Sequence, residues 1–580
     1  MTQSRPGILA VRALNQYRRR DVLAYLGLRY YLHNSVARSD QWIRQVATKL
    51  VMTRTNRPYF PAQHFKERAR MGEINHRPIF LPGANEALAE TALLDECANH
   101  EGIFTNPKCV FSYHLSQGDD RTGAFKHYTT GLRARHKAIA QACDANPSGI
   151  VRYLDIQRFY PSIKIDLAMR TWKKYAEAAG LSSEFLELGK RLIHDHGKTP
   201  QDNGASILTG PIFSHLLANL VLREFDEELA AKLPGRYFRY VDDITLVGDE
   251  NSIDVSIQEI QTRLGDLGFT LHDDNSPKSI EVPVATWLEG RNDYKEGNQK
   301  FSWMTLIGDL KRFLLMNPAE RKHVQDTFCA EGIRIPVYDY SAAAQERSFL
   351  ERLSNLASQR WFKRKAQRLS IQTLISQAVS LRDNYERELR EMLASPAASG
   401  FDRKRLIPKL RYRAGRLAYL SSPESLLALA NAMNEYPELH FHAEVMTAIS
   451  TAKLDRILSL GTNAAQATAQ PLRAAGVRCN ISGGEMDKVL EQSFAVFILN
   501  GVQVDKPTSS QSKKSDLLRF ALSGADIELM KSADPFTREL ACLHGLSERP
   551  RHPETLESVF DKDENLAIDA IEQLQGSVSP

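Results

Sequence analysis

The chain has 580 residues, a formal net charge of +5 and an apolar fraction of 42%. One hydrophobic core does not usually extend over so long a chain, so we expect two or three domains. The six cysteines are widely separated and form no Cys-x-x-Cys pair, which excludes a disulfide framework or a zinc site of the usual spacing and fits a reducing compartment.

Membrane insertion and secretion are not expected from the sequence. No stretch approaches the roughly 20 continuous apolar residues that a membrane span needs. The N-terminal sequence "MTQSRPGILAVRALNQYRRR" has neither the apolar core nor the cleavage site of a signal peptide. We therefore expect a cytoplasmic protein.

In chain order, composition and pattern divide the sequence into three regions. Residues 1–70 are basic and mostly helical by pattern, and residues 71–310 mix strand-like runs with helices in an α+β pattern. In residues 311–580, helix punctuation replaces strand signals; Ser422-Pro423-Glu424, for example, begins one segment. Successive amphipathic helices joined by short polar turns predict an all-α helical-repeat domain with a curved surface.

Local clusters of positive charge are more informative than the small net charge. The runs 360–368 and 403–416 combine Arg and Lys with interleaved aromatic residues. Such a composition is typical of surfaces that neutralise phosphates and stack bases. A solvated helix face is the alternative interpretation.

Acidic residues twice accompany strand-like runs in the middle region. The run 150–154 leads to Asp155, and the β-branched run "RYVDDITLVG" contains Asp242 and Asp243. Each alone is readily explained as a turn or a cap. Together they are the hard oxygen ligands that Mg²⁺ takes, and two Mg²⁺ ions about 3.5–4 Å apart can clamp both oxygens of an in-line phosphoryl displacement. The pattern therefore predicts nucleotidyl transfer.

Four segments in order resemble palm motifs A to D of reverse transcriptases: "LDIQRFYPSI", "LTGPIFSHLLANLVLREFD", "YVDD" and "LGFTLHDDNSPK". In place of the Pro-Gln-Gly of most bacterial members, the second has Leu-Thr-Gly-Pro at 208–211. This variant and "FSYHL" at 111–115 are similar to the abortive-infection and unknown-group reverse transcriptases, the defence-associated branch. The resemblance implies right-hand polymerase fingers and palm in residues 71–310, a reverse-transcriptase fold, followed by the helical-repeat domain.

The same resemblance implies catalytic roles for the acidic residues. Asp155 and Asp242 would hold two Mg²⁺ or Mn²⁺ ions, Asp243 would be more peripheral, and Ile156 would lend its carbonyl oxygen. Lys278 matches the motif D lysine that gives a proton to pyrophosphate, although an exposed loop lysine is the ordinary alternative. The enzyme class implied is an RNA-directed DNA polymerase-type nucleotidyltransferase acting in antiphage defence.

Further positions match substrate contacts of the family. Tyr160 matches the bulky residue that excludes a 2′-hydroxyl, which favours deoxynucleoside triphosphates, with a palm-core aromatic as the alternative. Arg77 matches the fingers residue that meets the triphosphate. His114 stands where an arginine is often found, and Lys126 or Arg121 could substitute for it.

The choice between templated and untemplated synthesis stays open. Thr209, beside Gly210 in the substrate-binding motif, stands where a glutamine usually helps to seat the template and primer. The absence of that glutamine amide favours template-independent synthesis. Such synthesis would start from a protein hydroxyl, so that the DNA product stays covalently attached to the protein. The alternatives are RNA-templated synthesis from a partner non-coding RNA and an inert scaffold, which the intact carboxylates disfavour. Candidate priming tyrosines are Tyr338, Tyr340, Tyr385, Tyr412, Tyr419 and Tyr436. The resemblance also implies a homo-oligomer, a trimer or a hexamer.

Overall fold

A computed structural model describes most of the chain. The described residues are 5–17, 21–33, 47–53, 59–68, 72–118, 120, 123–201, 204–273, 276, 278–291, 302–337, 368–395, 400–482, 486–505 and 514–546. Arg121, Tyr338, Tyr340 and nearly all of the basic run 360–368 lie outside them.

Helices make up most of the described structure, and two small sheets accompany them. Among the described residues, no helix combines the length and the apolar character that crossing a bilayer requires. The α-helices are Arg5–Tyr17, Val22–His33, Ala47–Thr53, Ala84–Ala98, Glu101–Phe104, Tyr128–Ala145, Phe159–Ser162, Ile165–Ala178, Ser183–Lys198, Ile212–Val221, Arg223–Lys232, Glu250–Asp266, Val284–Glu289, Trp303–Met316, Arg321–Ala330, Ile371–Ala394, Gly400–Leu420, Pro423–Ala432, His440–Thr451, Asp455–Leu458, Thr462–Ala475, Lys488–Leu499, Asp516–Ser523 and Pro535–Leu546.

The strands form a two-stranded ribbon and a four-stranded antiparallel sheet. The ribbon pairs β1 with β2, and the sheet has the order β4-β5-β3-β6. In the sheet, β5 lies between its hairpin partner β4 and the earlier strand β3, so segments distant in sequence meet at its centre. The strands are β1 Phe60–Arg68, β2 Ile74–Leu81, β3 Ile150–Asp155, β4 Tyr237–Tyr240, β5 Asp243–Gly248 and β6 Ile280–Pro283.

Both faces of the four-stranded sheet are covered. On one face, Leu154, Ile244 and Leu246 belong to the large core of the molecule. On the other, Val151 and Val247 pack in a smaller cluster with residues of the helices Tyr128–Ala145 and Val284–Glu289. The continuous apolar run in β5 follows from this burial on both sides. The sheet is therefore a rigid base for the residues at its ends.

The helical C-terminal half packs directly on the β1-β2 ribbon. Asn463 accepts a hydrogen bond from the Phe65 N–H (2.9 Å) and donates one to the Phe65 carbonyl (3.5 Å). Gly461 has a φ of +100°, and a Cβ there would lie 2.1 Å from the Gln63 carbonyl oxygen. The helix that begins at Thr462 therefore lies against the free edge of β1. Core residues of all three regions of the chain form one continuous cluster.

Candidate active site

The hairpin between β4 and β5 places two acidic residues at the edge of the sheet. Tyr240 pairs with Asp243, so Val241 and Asp242 form the turn. Val241 has a φ of +59°, a conformation that β-branched residues rarely adopt. Its N–H donates to the Ser112 hydroxyl (2.9 Å), and its carbonyl accepts from the Arg239 guanidinium (2.8 Å). These two buried partners hold the strained bend in place.

The third acidic residue lies directly beside this turn. Asp155 is opposite Asp243 in the β3-β5 register, and the Ile156 N–H donates to the Asp242 carbonyl at 3.1 Å. Burial, and then the charges of Asp243 and Asp155, raise the pKa of Asp242 to about 6. The turn interpretation and the catalytic interpretation of the Asp-Asp pair are compatible, because the turn is what brings the pair to Asp155.

Two basic residues from the loop between the helix Glu250–Asp266 and β6 contact Asp155. The Lys278 ammonium lies 2.6 Å and the His272 imidazole 3.1 Å from the same carboxylate oxygen, Oδ2. The backbone N–H of His272 also donates to the backbone carbonyl of Asp155 at 3.0 Å. Lys278 thus lies at the site, with its side chain half exposed. His272 is a site residue that the sequence analysis missed; its signal is its position in the fourth motif.

The site has the donor chemistry that a divalent cation needs. Within the described parts of the chain, no group of three or more His, Cys, Asp and Glu side chains is already arranged to hold a metal ion. Asp155, Asp242 and Asp243 nevertheless share one edge, and their mutual repulsion contributes to the raised pKa of Asp242. A cation between them would relieve that repulsion. Hard carboxylate oxygens fit Mg²⁺ or Mn²⁺.

Tyr160 is part of an aromatic cluster next to the acidic residues. Its hydroxyl forms a 2.6 Å hydrogen bond with His215 Nδ1, and the Tyr113 ring stacks on the His215 ring at 3.9 Å between centroids. Phe125 packs edge-on against both Tyr113 and His215. Burial is the main cause that raises the pKa of Tyr160 well above its usual value, and the charge of Asp242 adds to it. The ring is therefore fixed in place near Asp242, and His215 is a second residue that the sequence analysis missed.

The Thr209-Gly210 loop is fastened to the ribbon. The Thr209 carbonyl accepts from the Phe80 N–H at 2.8 Å. Gly210 has a φ of +129°, and a Cβ there would lie 2.4 Å from the Phe80 carbonyl oxygen, so only glycine fits this contact. The next helix begins with the Phe213 N–H donating to the buried Glu90 carboxylate at 3.0 Å. The motif thus sets the distance between the ribbon and the helix Ile212–Val221.

Arg77 and His114 make no described contact with the three acidic residues, although His114 is adjacent to Tyr113 of the aromatic cluster. Arg77 is exposed on β2 opposite His64; burial of His64 and then the Arg77 charge lower the pKa of His64 to about 4. No described contact joins Arg77 to the acidic residues. His114 is half-buried, its pKa is lowered by burial and then by Lys126, and its carbonyl accepts from the Lys126 N–H at 2.8 Å.

The basic run 403–416 packs mostly within the molecule, which differs from the exposed surface that its composition suggests. Arg403 forms two hydrogen bonds of 2.7 Å with Glu438, and Arg413 pairs with Glu388. The Arg416 guanidinium lies 5.1 Å from the Trp303 ring centroid. Composition could not reveal these partners, because they come from other helices.

Comparisons with known proteins add little. No family model and no curated protein matches the chain. A solved structure of telomerase from Candida albicans, in complex with a fragment of telomeric RNA, aligns with 68% of this chain and 67% of that chain, with 11% identity and a TM-score of 0.27. A similarity this low establishes neither a shared fold nor a shared function.

The raised pKa of Asp242 predicts a pH-dependent effect of its removal. Its pKa is raised from 3.8 to about 6 in the folded chain, so its favourable contribution is present below about 3.8 and is lost as the pH rises through about 6. In metal-free buffer, Asp242→Asn should therefore raise the urea midpoint at about pH 8 and change it little at about pH 4. A lower midpoint at the higher pH would contradict this. Asp254→Asn, on an exposed helix face, is the control.

Proposed function

We propose that this chain is a reverse-transcriptase-like DNA polymerase that joins deoxynucleotides by two-metal nucleotidyl transfer. The observation that carries the proposal is the meeting of Asp155 with the Asp242-Asp243 turn, fixed by the pairing of β3 with β5. Strand-end carboxylates on a buried, rigid sheet are what such a reaction needs. The order of the four sequence motifs around them supports the same conclusion.

Asp155 and Asp242 would be the main ligands of the metal ions, with Asp243 at the periphery and the Ile156 carbonyl beside them. Bound Mg²⁺ or Mn²⁺ would supply charge neutralisation and lower the pKa of the attacking hydroxyl. Lys278 now donates to Asp155 Oδ2 at 2.6 Å. Its exposed side chain can leave that oxygen and hand its proton to the departing pyrophosphate. His272, on the same oxygen, would then keep Asp155 oriented.

Tyr160 would exclude the 2′-hydroxyl of ribonucleotides. Its hydrogen bond to His215 and the Tyr113 stack keep the ring from swinging aside. Thr209 and Gly210 would border the nucleotide through the backbone that they fasten to β2. Arg77, exposed on β2, would meet the triphosphate, as the motif resemblance implies.

Synthesis without a template is favoured because Thr209 lacks the amide that usually seats the template and primer. A protein hydroxyl would then start the DNA chain.

Among the candidate priming tyrosines, Tyr385 and Tyr436 are poor candidates because both are buried. Tyr128 is 57% exposed, and its carbonyl accepts from the hydroxyl of Tyr240, two residues before Asp242. Copying of a partner non-coding RNA is the second candidate. Antiphage defence and a trimer or hexamer rest on the motif resemblance.

The two-metal assignment predicts that Asp242→Asn combined with Asp243→Asn abolishes incorporation of labelled deoxynucleotides in the presence of Mg²⁺. Both residues are only half-buried at the sheet edge, so the fold should survive. Circular dichroism and the urea midpoint would verify folding, and Asp254→Asn should keep full activity. Incorporation by a folded double variant would refute the assignment.

The Tyr160 assignment predicts a change in sugar selection. Tyr160→Val should raise the ratio of ribonucleotide to deoxynucleotide incorporation at least about tenfold, since removing a steric penalty of about 1.4 kcal/mol against the 2′-hydroxyl has that effect. Tyr160→Phe keeps the ring and should stay close to the parent. If the valine variant keeps the parental ratio, Tyr160 serves only in packing.

Protein priming predicts that labelled product remains on the protein after boiling in detergent and is released by protease. Pretreatment of the purified protein with ribonuclease should leave synthesis unchanged. Product that runs free or attached to RNA after denaturation, together with ribonuclease sensitivity, would instead establish copying of a partner RNA.

A further inference from the structure

The helix Gly400–Leu420 delivers a lysine to the sheet that carries the acidic residues. The Lys404 ammonium lies 3.8 Å from the centroid of the Tyr153 ring, a close cation–π contact. The preceding Phe401 packs on the small cluster around Trp287. A Cβ at Gly290 would lie 2.8 Å from Arg405 Nε, so the helix is seated tightly against the chain that follows β6.

Tyr153, the residue that Lys404 contacts, lies close to Asp155 and Asp243. Tyr153 precedes Asp155 by two residues on β3, so their side chains share a face and lie about 6.6 Å apart along the strand. Across the sheet, Tyr153 pairs with Thr245 and Asp155 pairs with Asp243. Burial lowers the pKa of Lys404 below its usual value and the charge of Arg135 adds to this, while the charges of Asp243 and Asp155 partly offset it. The helical half thus contributes a cation immediately behind the site.

A second cation stands at the same level of the sheet. Arg135, on the helix Tyr128–Ala145, donates to the Thr245 hydroxyl at 2.6 Å. Its other terminal nitrogen is 3.9 Å from Asp243, too far for a hydrogen bond. Its Nε is buried without a hydrogen-bond partner among the described residues. The enclosed Nε cannot reach a ligand, so the donor capacity that Arg135 keeps for one is at Nη1, the terminal nitrogen nearest Asp243.

Asp243 and Asp155 act on Lys404 only from beyond ion-pair distance. Within the described structure, no ion pair within 4.0 Å joins Lys404 to a carboxylate. Two half-buried cations close to one another repel, and burial disfavours the charge on Lys404. An anion bound between them would offset both costs through charge-assisted hydrogen bonds.

We propose that Lys404 and Arg135 bind a backbone phosphate of the nucleic-acid strand whose end reacts at Asp155 and Asp242. The inference rests on the proposed function for the identity of the strand. An in-line displacement brings attacking and leaving groups from opposite sides. Lys278 contacts Asp155 from the loop before β6, where it suits the leaving pyrophosphate. Lys404 and Arg135 come instead from the helices Gly400–Leu420 and Tyr128–Ala145, and they contact Tyr153 and Thr245, which pair with one another on β3 and β5. The pair Lys404 and Arg135 therefore suits the growing strand, and the helical half serves as part of its binding surface.

The test measures the affinity for a fluorescently labelled single-stranded oligodeoxynucleotide by anisotropy, without divalent cations, over a range of salt concentrations. Removing one phosphate contact should weaken binding several-fold and reduce the slope of log affinity against log salt by about 0.7. We expect this for Lys404→Met and for Arg135→Gln. Lys404→Arg should keep the parental slope. Lys173→Met removes a 60% exposed lysine on another helix and should behave as the parent does.

An unchanged salt slope in both Lys404→Met and Arg135→Gln, or no oligonucleotide binding by the parent, would overturn the proposal. It would also be overturned if the variants lost affinity for deoxynucleoside triphosphate alone, since the pair would then serve the incoming nucleotide. The combined Asp242→Asn and Asp243→Asn variant should still bind the oligonucleotide. Normal strand binding by a parent that never incorporates nucleotides would refute the polymerase function and leave the phosphate site standing.

Discussion

The antiparallel register of β3 on β5 is the constraint on which the site depends. It sets Asp155 opposite Asp243, and a slip of one residue would turn every side chain of the strand to the other face. Burial of both sheet faces opposes such a slip, because Leu154 and Val151 would each leave the cluster in which they are buried. The acidic edge is thus a consequence of core packing some distance away.

The buried ion pair between Arg239 and Asp226 stabilises the turn that carries Asp242. Arg239, fully buried, makes two hydrogen bonds to Asp226 (2.8 and 2.6 Å) and one to the Val241 carbonyl. A buried guanidinium is costly unless its donors are satisfied, so the pair holds Arg239 in one position. That position in turn favours the left-handed conformation of Val241. The strained turn is therefore stabilised by charges that take no part in the proposed chemistry.

Strand and turn signals singled out Asp155, Asp242 and Asp243, which the structure brings to one edge of the sheet, and the motif resemblance singled out Lys278, which contacts Asp155. Local signals of this kind have a limit. They were not sufficient for His215, Arg135 or Lys404. Those residues reach the site from separate helices, and helix periodicity gives their faces but not their partners. The basic run 403–416 illustrates the limit: its composition suggested phosphate binding along its whole length, whereas Glu438 and Glu388 engage several of its arginines. Arg77 was selected by motif alone, and the described contacts leave it outside the acidic cluster.

The cover over β1 bears on how the chain avoids association with itself. An uncovered edge strand offers a row of backbone donors and acceptors to any other strand, which is a common route to aggregation. Asn463 satisfies the Phe65 backbone, and Gly461 lets the helical half come within contact of Gln63. A fragment of residues 71–310 would lack β1 altogether, so β2 would lose its partner strand and the fragment would lose part of the core. The helical half therefore shields the edge of the ribbon, and we expect a shorter chain without that half to aggregate more readily than the full chain.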